Sequence, residues 1–386
     1  MVRKLECNLK KTIPKVLIVD LSERFGGASA RILALMLKYP TGRIALAALK
    51  DSPIAQQAMN KDLPVLIVGK KKYDLLILFA LIRVIRLSGF EIIDAQNVQS
   101  KFWASLSLLF TKAVLVSTLN SWYGSEHEAT SMKGKVYIAI ELLTNWFSPH
   151  YIVVSKTIRD NLCSAGIDSE RISLIYNAVD PELRKLTVEK AGIRSEFNIP
   201  ENTILCVSLG RLVWAKGYED LIQAFEMVKE KNPRIFCLIL GDGELHSSLE
   251  EQIAQRGLAD RVILYGHCDH SLALSILKTC DIFVMPSRTE GTPIALLEAA
   301  ILEIPIIATK VGGIPELLAE EEAILIPAND PISLASSLLK LAEDMPCARV
   351  MSAKACERIK KYFTTDIQVE NTITTYNKVL AYGHGR

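Results

Sequence analysis

Short apolar runs alternate with longer helical stretches along the first half of the chain. The first run, KVLIVD at 15–20, predicts a buried strand, and a glycine-containing turn and a helical stretch follow it. The same pattern predicts further strands at 43–49, 64–68, 91–95, 113–119 and 151–155. Fully apolar strands that alternate with helices indicate a parallel sheet covered on both faces.

The pattern weakens over residues 176–200, which are polar and contain two prolines, and this stretch is typical of a linker with a short helix. The alternation then resumes with strands predicted at 204–210, 234–241, 261–266, 281–286, 305–309 and 323–327. The sequence therefore predicts an α/β protein with two doubly wound, Rossmann-like domains, residues 1–180 and 181–365. The last stretch, 366–386, is expected to form a helix that packs back on the first domain.

Composition and cysteine usage narrow the class of protein. Of 386 residues, 49% are apolar and 23% charged, which is ordinary for a globular chain. The longest apolar stretch, 75–87, is interrupted by Arg83 and Arg86 and is too short to span a membrane. The N-terminus lacks the apolar region of a secretory signal. The eight cysteines form no CxxC pair, as in a reduced, cytoplasmic protein. The run 267–270, HCDH, is interpreted as an ordinary loop, and no metal site is expected.

Charge is distributed unevenly along the chain. Residues 1–200 carry +9 and residues 201–386 carry −7. This asymmetry suggests two domains with different partners, although solvated surface would account for it as well.

Residues 281–317 contain the strongest candidate site. A strand is followed by the loop SRTEG and by a helix predicted from about 293 to 303, with Thr292 as its N-cap and Pro293 at its first position. A helix N-terminus binds anions. Glu290 lies just before this helix and Glu298 lies within it, on a face expected to be buried. A carboxylate that accepts from two vicinal hydroxyls suits a ribose.

Two cations form a second candidate. Arg211 and Lys216 lie between a predicted strand and helix, where two positive charges suit a diphosphate. Ligands of open α/β sheets bind at the carboxyl ends of strands. A third and weaker signal is Gly26-Gly27 after the first strand, which lets the backbone approach a phosphate or sugar.

Together these segments resemble the family 4 (group 1) retaining glycosyltransferases of the GT-B fold. The matching segments are FGGASAR, VVS at 153–155, IYNAVD, SLGRLVWAKGYEDLIQAF, LGDGEL, DIFVMPSRTEGTPIALLEA and IPIIATKVGGIPELL. Glu290 and Glu298 have that family's E-x7-E spacing. The resemblance covers nearly the whole chain, is most specific from 204 to 327, and is weakest from 40 to 150.

The resemblance implies two domains that face each other across a cleft holding a nucleotide-sugar donor, with no metal and no other cofactor. Arg211 and Lys216 would hold the donor diphosphate, and Glu298 the ribose hydroxyls. Glu290, with the backbone of Gly291 and Thr292, would position the transferred sugar. The implied residues are Glu290, Arg211 and Lys216 for catalysis, with Gly26, Gly27, Gly291, Thr292 and Glu298 completing the donor site. The implied reaction retains the anomeric configuration.

The first domain departs from the family pattern. Where the family often has histidines, this chain has Asn120 and, in the preceding strand region, Gln96 or Asn97. Asn and Gln can hydrogen-bond a sugar hydroxyl but do not titrate near neutrality. Asn120 is therefore a candidate acceptor or sugar contact. Four aromatic residues of this half are interpreted as core or rim: Trp103, Trp122, Tyr123 and Trp146.

Several alternatives stay open from the sequence. The donor is expected to be a UDP-sugar, with GDP as the other choice, and the acceptor a glycan or a lipid-linked molecule of cell-surface polysaccharide or glycolipid synthesis. The alternative functions are a GT-B sugar-nucleotide epimerase and a non-catalytic nucleotide-binding subunit. No nucleic-acid partner is expected. Lys70–Lys72 and the apolar residues after them predict weak peripheral contact with an anionic membrane at the cytoplasmic face; the alternative is an internal helix over 75–87.

Overall fold

The computed structural model describes residues 13–121, 150–187, 190–197, 199–200 and 202–383, with 135, 139, 140, 143–145 and 147 in the gap before 150. The chain divides into two units: unit 1 runs to Asn177 and resumes at Thr365, and unit 2 comprises Ala178–Thr364. The division after Asn177 lies three residues before the predicted one.

Unit 1 is built on a seven-stranded parallel sheet in the order β3-β2-β1-β4-β5-β6-β7. The strands are β1 Val16–Asp20, β2 Ile44–Leu49, β3 Val65–Gly69, β4 Ile92–Ala95, β5 Val114–Leu119, β6 His150–Val153 and β7 Ile172–Leu174. The helices are α1 Gly27–Lys38, α2 Pro53–Met59, α3 Leu76–Ser88, α4 Val98–Ser107, α5 Lys156–Ser164 and the C-terminal α14 Thr365–Gly383. β7 was not predicted, because its sequence ISL has a polar serine at its centre and forms no continuous apolar run.

The two faces of this sheet bury separate apolar cores, as a parallel sheet requires. One core joins Ile18 and Ile92 of the sheet to Ile32 of α1 and Tyr376 of α14. The other joins neighbouring sheet residues to Leu81 of α3 and to Trp103 of α4. The C-terminal helix therefore packs on unit 1, and Tyr376 donates its hydroxyl to Asp94 Oδ2 at 2.6 Å.

Unit 2 has the same kind of architecture, with a six-stranded parallel sheet in the order β10-β9-β8-β11-β12-β13. Its strands are β8 Ile204–Leu209, β9 Ile235–Leu240, β10 Val262–Gly266, β11 Ile282–Met285, β12 Ile306–Thr309 and β13 Ile324–Ile326. Its helices are α6 Lys190–Glu196, α7 Tyr218–Lys229, α8 His246–Gln255, α9 His270–Thr279, α10 Ile294–Ile301, α11 Ile314–Leu317, α12 Pro331–Glu343 and α13 Met345–Tyr362.

Both sheets reverse their strand order once. In unit 1 the reversal falls at β1, between β2 and β4, and in unit 2 at β8, between β9 and β11. Neighbouring loops diverge at such a point and leave a crevice at the carboxyl ends of the strands, which is where open α/β sheets bind ligands. The two predicted doubly wound sheets are thus confirmed. No helix in the described ranges is both long and apolar enough to cross a membrane.

Candidate donor site in unit 2

Three loops follow the carboxyl ends of neighbouring strands in unit 2: 210–217 after β8, 286–293 after β11 and 310–313 after β12. Backbone hydrogen bonds join them. Arg288 N donates to Ala215 O and Gly313 N donates to Gly291 O, each at 2.8 Å. The loop after β11 is therefore held from both sides.

Two glycines make this close approach possible. A Cβ on Gly217 would lie 2.1 Å from Pro286 O, and a Cβ on Gly312 would lie 1.7 Å from Glu290 O. Both glycines also have positive φ, +65° and +53°, which residues with a Cβ rarely adopt. The loop that carries Glu290 thus lies directly against the backbone at Gly217 and at Gly312, and a side chain at either position would clash with it.

Lys216 and Glu290 form the centre of the candidate site. Lys216 Nζ donates to Glu290 Oε1 at 2.5 Å, and the Ser287 hydroxyl donates to the same oxygen at 2.7 Å. The Glu290 side chain is 8% exposed and that of Lys216 21% exposed. A charge-assisted bond in partial burial fixes both side chains. The structure brings these two predicted residues together as an ion pair, and their roles toward a donor stay predictions.

Arg211 lies beside this pair. The Lys216 side chain folds back over Gly210, where a Cβ would lie 3.4 Å from Lys216 Cε, and Arg211 is the next residue. Arg211 is exposed, and its guanidinium forms no hydrogen bond or ion pair with any residue in the described ranges. It therefore offers free donors to an anion at the carboxyl end of β8.

Arg288, which the sequence analysis missed, connects the loops. Its guanidinium donates to Asn329 Oδ1 at 2.8 Å, to Trp214 O at 3.2 Å and to Asp220 Oδ1 at 3.0 Å. It also stacks over the Trp214 ring at 5.3 Å. These partners lie on two segments, 214–220 and 329, each at least 41 residues from Arg288 in the chain, so no local pattern signals this role.

Glu298 is buried in α10 and is bonded to a histidine from the neighbouring helix. Its side chain is 4% exposed, and its Oε1 lies 2.6 Å from His270 Nε2. The interpretation of 267–270 as an ordinary loop was wrong for His270, which is the first residue of α9. The Asp-x-x-Leu spacing could have shown this, because Asp269 Oδ1 caps the helix by accepting from Leu272 N at 2.8 Å.

The start of α10 differs slightly from its prediction. The N-cap is Pro293, in an extended conformation and without a side-chain cap, and Thr292 lies one residue further out, buried. Thr292 is therefore not the N-cap. Pro293 keeps ψ at 120°, so the helical geometry begins one residue later than the Thr-Pro pattern predicts.

The unit 1 candidates lie at the carboxyl edge of their own sheet. Gly26 is the N-cap of α1 and Gly27 its first residue; both are exposed, and a Cβ on either would meet no atom within 4 Å. No steric contact within the described residues therefore requires glycine at either position. Their approach to a donor stays a prediction.

The amide residues of unit 1 divide by role. Asn97 caps α4 by accepting from Ser100 N at 2.9 Å and donates to Asp20 Oδ1 at 2.8 Å, so it has a structural role. Gln96 is buried two residues after Asp94, and burial raises the pKa of that carboxyl group above its ordinary value. Asn120 follows β5, and in the described part of the chain neither of its shielded amide atoms has a hydrogen-bond partner.

Two further predictions meet the limits of the described residues. Trp103 is core, as expected, whereas Trp122, Tyr123 and Trp146 lie outside the described residues. Within those residues no three His, Cys, Asp or Glu side chains are grouped to hold a metal ion. Metal independence stays a prediction.

Two family models match this chain. The family model "Glycosyl transferases group 1" matches residues 189–362, and "Glycosyltransferase Family 4" matches residues 45–183. The chain belongs to the group 1 glycosyltransferases. It is 31% identical over 230 residues to a phosphatidylinositol N-acetylglucosaminyltransferase subunit of Arabidopsis thaliana, a match that covers 59% of this chain and 49% of that protein. The chain spans about half the length of this plant relative.

A second relative and two solved structures extend the comparison. N-acetyl-alpha-D-glucosaminyl L-malate synthase of Bacillus anthracis is 26% identical over 211 residues, 54% of each chain. HepE of Anabaena, solved in complex with UDP and glucose, superposes with a TM-score of 0.84 at 20% identity over 95% of this chain and 100% of that one. The glycosyltransferase WaaG superposes with a TM-score of 0.72 at 15% identity over 94% and 99%. These likenesses show the GT-B fold.

Proposed function

We propose that this protein is a retaining, metal-independent glycosyltransferase that moves a sugar from a nucleotide-sugar donor, UDP-linked or else GDP-linked, to a glycan or lipid-linked acceptor. The observation that carries the proposal is the Lys216–Glu290 ion pair at the carboxyl ends of β8 and β11, where the strand order reverses. Arg211 follows β8, and Glu298 lies in the helix that begins after the Glu290 loop.

Each group has a chemical role in this proposal. Arg211 and Lys216 neutralise the donor diphosphate, and their charges stabilise it as it leaves. Glu298 accepts hydrogen bonds from the ribose hydroxyls. Glu290, with the backbone of Gly291 and Thr292, positions the transferred sugar.

Bond making and breaking occur on one face of the sugar. The acceptor oxygen bonds to the anomeric carbon as the bond from that carbon to the diphosphate oxygen breaks. The departing diphosphate oxygen takes the acceptor proton, so the reaction needs no separate general base and the configuration is retained. This matches a site in which the described acidic residues, Glu290 and Glu298, are already bonded to cationic or imidazole partners.

The donor is tested by binding. UDP and GDP are titrated by calorimetry with EDTA present, in the wild type, in Glu298→Ala and in the control Glu250→Ala, whose side chain is exposed on α8. One nucleotide should bind without metal, and Glu298→Ala should weaken it by about 1–3 kcal/mol, the range for charge-assisted hydrogen bonds. Loss of wild-type binding in EDTA, or equal binding by Glu298→Ala, would refute the donor-site assignment.

The reaction is tested with radiolabelled UDP-sugars and GDP-sugars, scoring transferred, epimerised and hydrolysed sugar separately. Transfer with retention at the anomeric carbon supports the proposal. Epimerised donor would identify an epimerase, and binding without turnover a non-catalytic protein. An inverted product would rule out the same-face mechanism.

The acceptor proposal rests on the surface of unit 1. The helix α3 buries Ile77, Leu81 and Ile85 and so is part of the core, yet its other face is apolar too. Four large side chains in and beside it are 66–75% exposed: Leu75, Leu76, Phe79 and Leu87. An apolar helix face flanked by cations is typical of an interface helix on an anionic membrane. We propose that this α3 surface contacts the membrane that carries a lipid-linked acceptor.

Sedimentation with anionic vesicles at low and high salt tests the α3 surface. Lys70→Glu/Lys71→Glu should weaken the low-salt binding, and Leu76→Glu/Phe79→Glu should abolish it. Lys72 is left in place because it forms an ion pair with Glu23 at 3.0 Å. Ile332→Glu/Val350→Glu is the control, since it adds the same charge at exposed apolar residues of unit 2. If the wild type does not bind at low salt, or if the control loses binding equally, a soluble acceptor is favoured.

A further inference from the structure

His270 is the described side chain that fixes the buried carboxylate of the candidate donor site. Glu298 lies in the second turn of α10 between Leu297 and Ala299, both fully buried. A carboxylate in such surroundings needs a hydrogen-bond partner, because burial removes its hydration. His270 Nε2 supplies that partner at 2.6 Å. An ionised carboxylate is acceptor-only, so Nε2 carries the hydrogen.

The position of His270 is determined by the fold. It is the first residue of α9, whose start is capped by Asp269, and α9 packs against both α10 and β8. Its ring is 46% exposed while Glu298 is 4% exposed. The ring is therefore partly in solvent while the carboxylate that it bonds is shielded, and it reaches Glu298 from a separate helix.

We propose that His270 is a positioning residue for donor recognition: it holds Glu298 Oε1 so that the carboxylate presents a fixed edge to the two ribose hydroxyls. The inference rests on the proposed function of Glu298. Without the histidine the carboxylate would rotate or take up water, and the ordering of its side chain would then oppose donor binding. His270 itself contacts Glu298 and not the reacting atoms, so its loss should raise KM for the donor more than it lowers kcat.

The structure offers a matched control. His246 is the first residue of the preceding helix, α8, and it also faces a glutamate, with Nδ1 3.5 Å from Glu250 Oε2. That glutamate is 61% exposed, so this pair orders no buried group. A histidine-to-alanine change at 246 alters charge and helix start in the same way without reaching Glu298.

The experiment measures binding of UDP and GDP, of their 2′,3′-dideoxy analogues and of inorganic diphosphate to four proteins: wild type, His270→Ala, His270→Gln and His246→Ala. His270→Ala should weaken the preferred nucleotide about tenfold, the scale of one charge-assisted hydrogen bond. His270→Gln keeps an N–H near the same place and should restore most of the affinity. The dideoxy analogue and diphosphate should bind to His270→Ala as tightly as to the wild type. Neither ligand has the ribose hydroxyls from which Glu298 would accept hydrogen bonds.

The different failures are distinguishable. If the wild type binds no nucleotide, the proposed function fails. If the wild type binds and His270→Ala binds equally, or if His270→Ala weakens the dideoxy analogue and diphosphate as much as the nucleotide, the proposal for His270 is overturned while the donor site stands. Equal loss in His246→Ala would also overturn it. Circular dichroism of each variant shows whether it is folded. If His270→Ala unfolds, His270→Leu replaces it, because leucine fills part of the same space and has no N–H: a tenfold loss for the nucleotide with none for the dideoxy analogue supports the proposal, and unchanged nucleotide binding overturns it.

Discussion

At the scale of single residues, the main feature of the candidate site is an ion pair. Lys216 and Glu290 satisfy each other at 2.5 Å, so the site is organised before any donor arrives. Organised charge stabilises a transition state well, because little reorganisation is needed during the reaction. In this pair Glu290 sets the position of the Lys216 ammonium, and Lys216 limits the rotation of the Glu290 carboxylate.

Removing one charge from this pair should affect turnover far more than stability. Glu290→Gln keeps an oxygen for Lys216 and Ser287, and we expect kcat to fall about 100-fold or more, the scale for lost electrostatic stabilisation. Arg211→Ala should lower kcat/KM to a similar extent with little change in melting temperature, since Arg211 is exposed. Steady-state kinetics beside thermal melts, with Glu250→Gln as control, check both; unfolding in step with activity loss would contradict the assignment.

Because His150 is buried, we expect the free energy of unfolding of unit 1 to decrease in acid. Burial, with Lys378 and Arg171 nearby, lowers the pKa of this histidine from 6.5 to about 4. The unfolded chain therefore binds a proton that the folded chain refuses, and stability is lost as the pH falls from about 6.5 to 4. After allowance for solvent screening we expect a loss of about 1–2 kcal/mol.

Melting curves between pH 4 and pH 7.5 test this step. His150→Gln retains a group for Ser173, whose hydroxyl lies 2.8 Å from Nε2 in the wild type, but it does not titrate in this range. The difference in stability between wild type and variant should change across the window. A difference that stays constant across the window for His150→Gln would contradict the prediction.

At the scale of elements, the candidate donor site depends on how closely three loops approach one another. Gly312 lies so near Glu290 O that a methyl group there would have to displace the loop. Arg288 fastens the same loop to the segment after β8. The positions of Glu290 and Lys216 are therefore properties of the loop contacts as much as of the two side chains.

Gly312→Ala should accordingly destabilise unit 2 and lower activity together. Strain at a positive φ with an added clash costs about 1–3 kcal/mol, and the movement of Glu290 should reduce kcat as well. Gly192→Ala is the control, because a Cβ at that position of α6 meets nothing within 4 Å; it should be neutral or slightly stabilising. If Gly312→Ala were destabilised but fully active, the contact between the two loops would not be needed for activity, and the prediction would be wrong.

At the scale of the whole molecule, the chain forms two units with separate cores, and the first is closed by the last helix. Tyr376 of α14 reaches across unit 1 to Asp94, whose other oxygen accepts from Thr118 at 2.7 Å. Asp94 lies in a strand 282 residues earlier in the chain than Tyr376. Early and late segments of the chain therefore share one hydrogen-bonded core.

Tyr376→Phe should loosen unit 1 alone. The change removes one donor from a fully buried carboxyl group, which costs about 1–3 kcal/mol. Hydrogen exchange should rise in α14, α1 and β4 and stay unchanged in β8, β9 and β11. Tyr382→Phe, on the same helix but 70% exposed, is the control, and faster exchange throughout both units would show that the two cores are not independent.

Much of the fold follows from the sequence alone. Apolar runs separated by helical patterns predicted two parallel sheets, because a strand buried on both faces must be apolar throughout. The same local pattern places Arg211, Lys216 and Glu290 between a strand and the next helix, and Glu298 within a helix, since parallel strands end at one edge of the sheet. Family membership was also readable, because motif spacing along a strand, loop and helix is local information.

Tertiary structure decided the partners of these residues. The bonds from Lys216 to Glu290, from His270 to Glu298 and from Arg288 to Asp220 join residues 74, 28 and 68 positions apart. The hydrophobic periodicity of a sequence does not indicate which residues so far apart will form a bond. Such bonds depend on strand order and on how closely glycine lets two loops approach. The sequence by itself therefore determined the two sheets and the candidate charged residues. The packing of neighbouring loops determined which of those charges form ion pairs, and it left Arg211 with no bond to any described residue. Only the tertiary structure could decide this pairing, because it depends on distances in three dimensions.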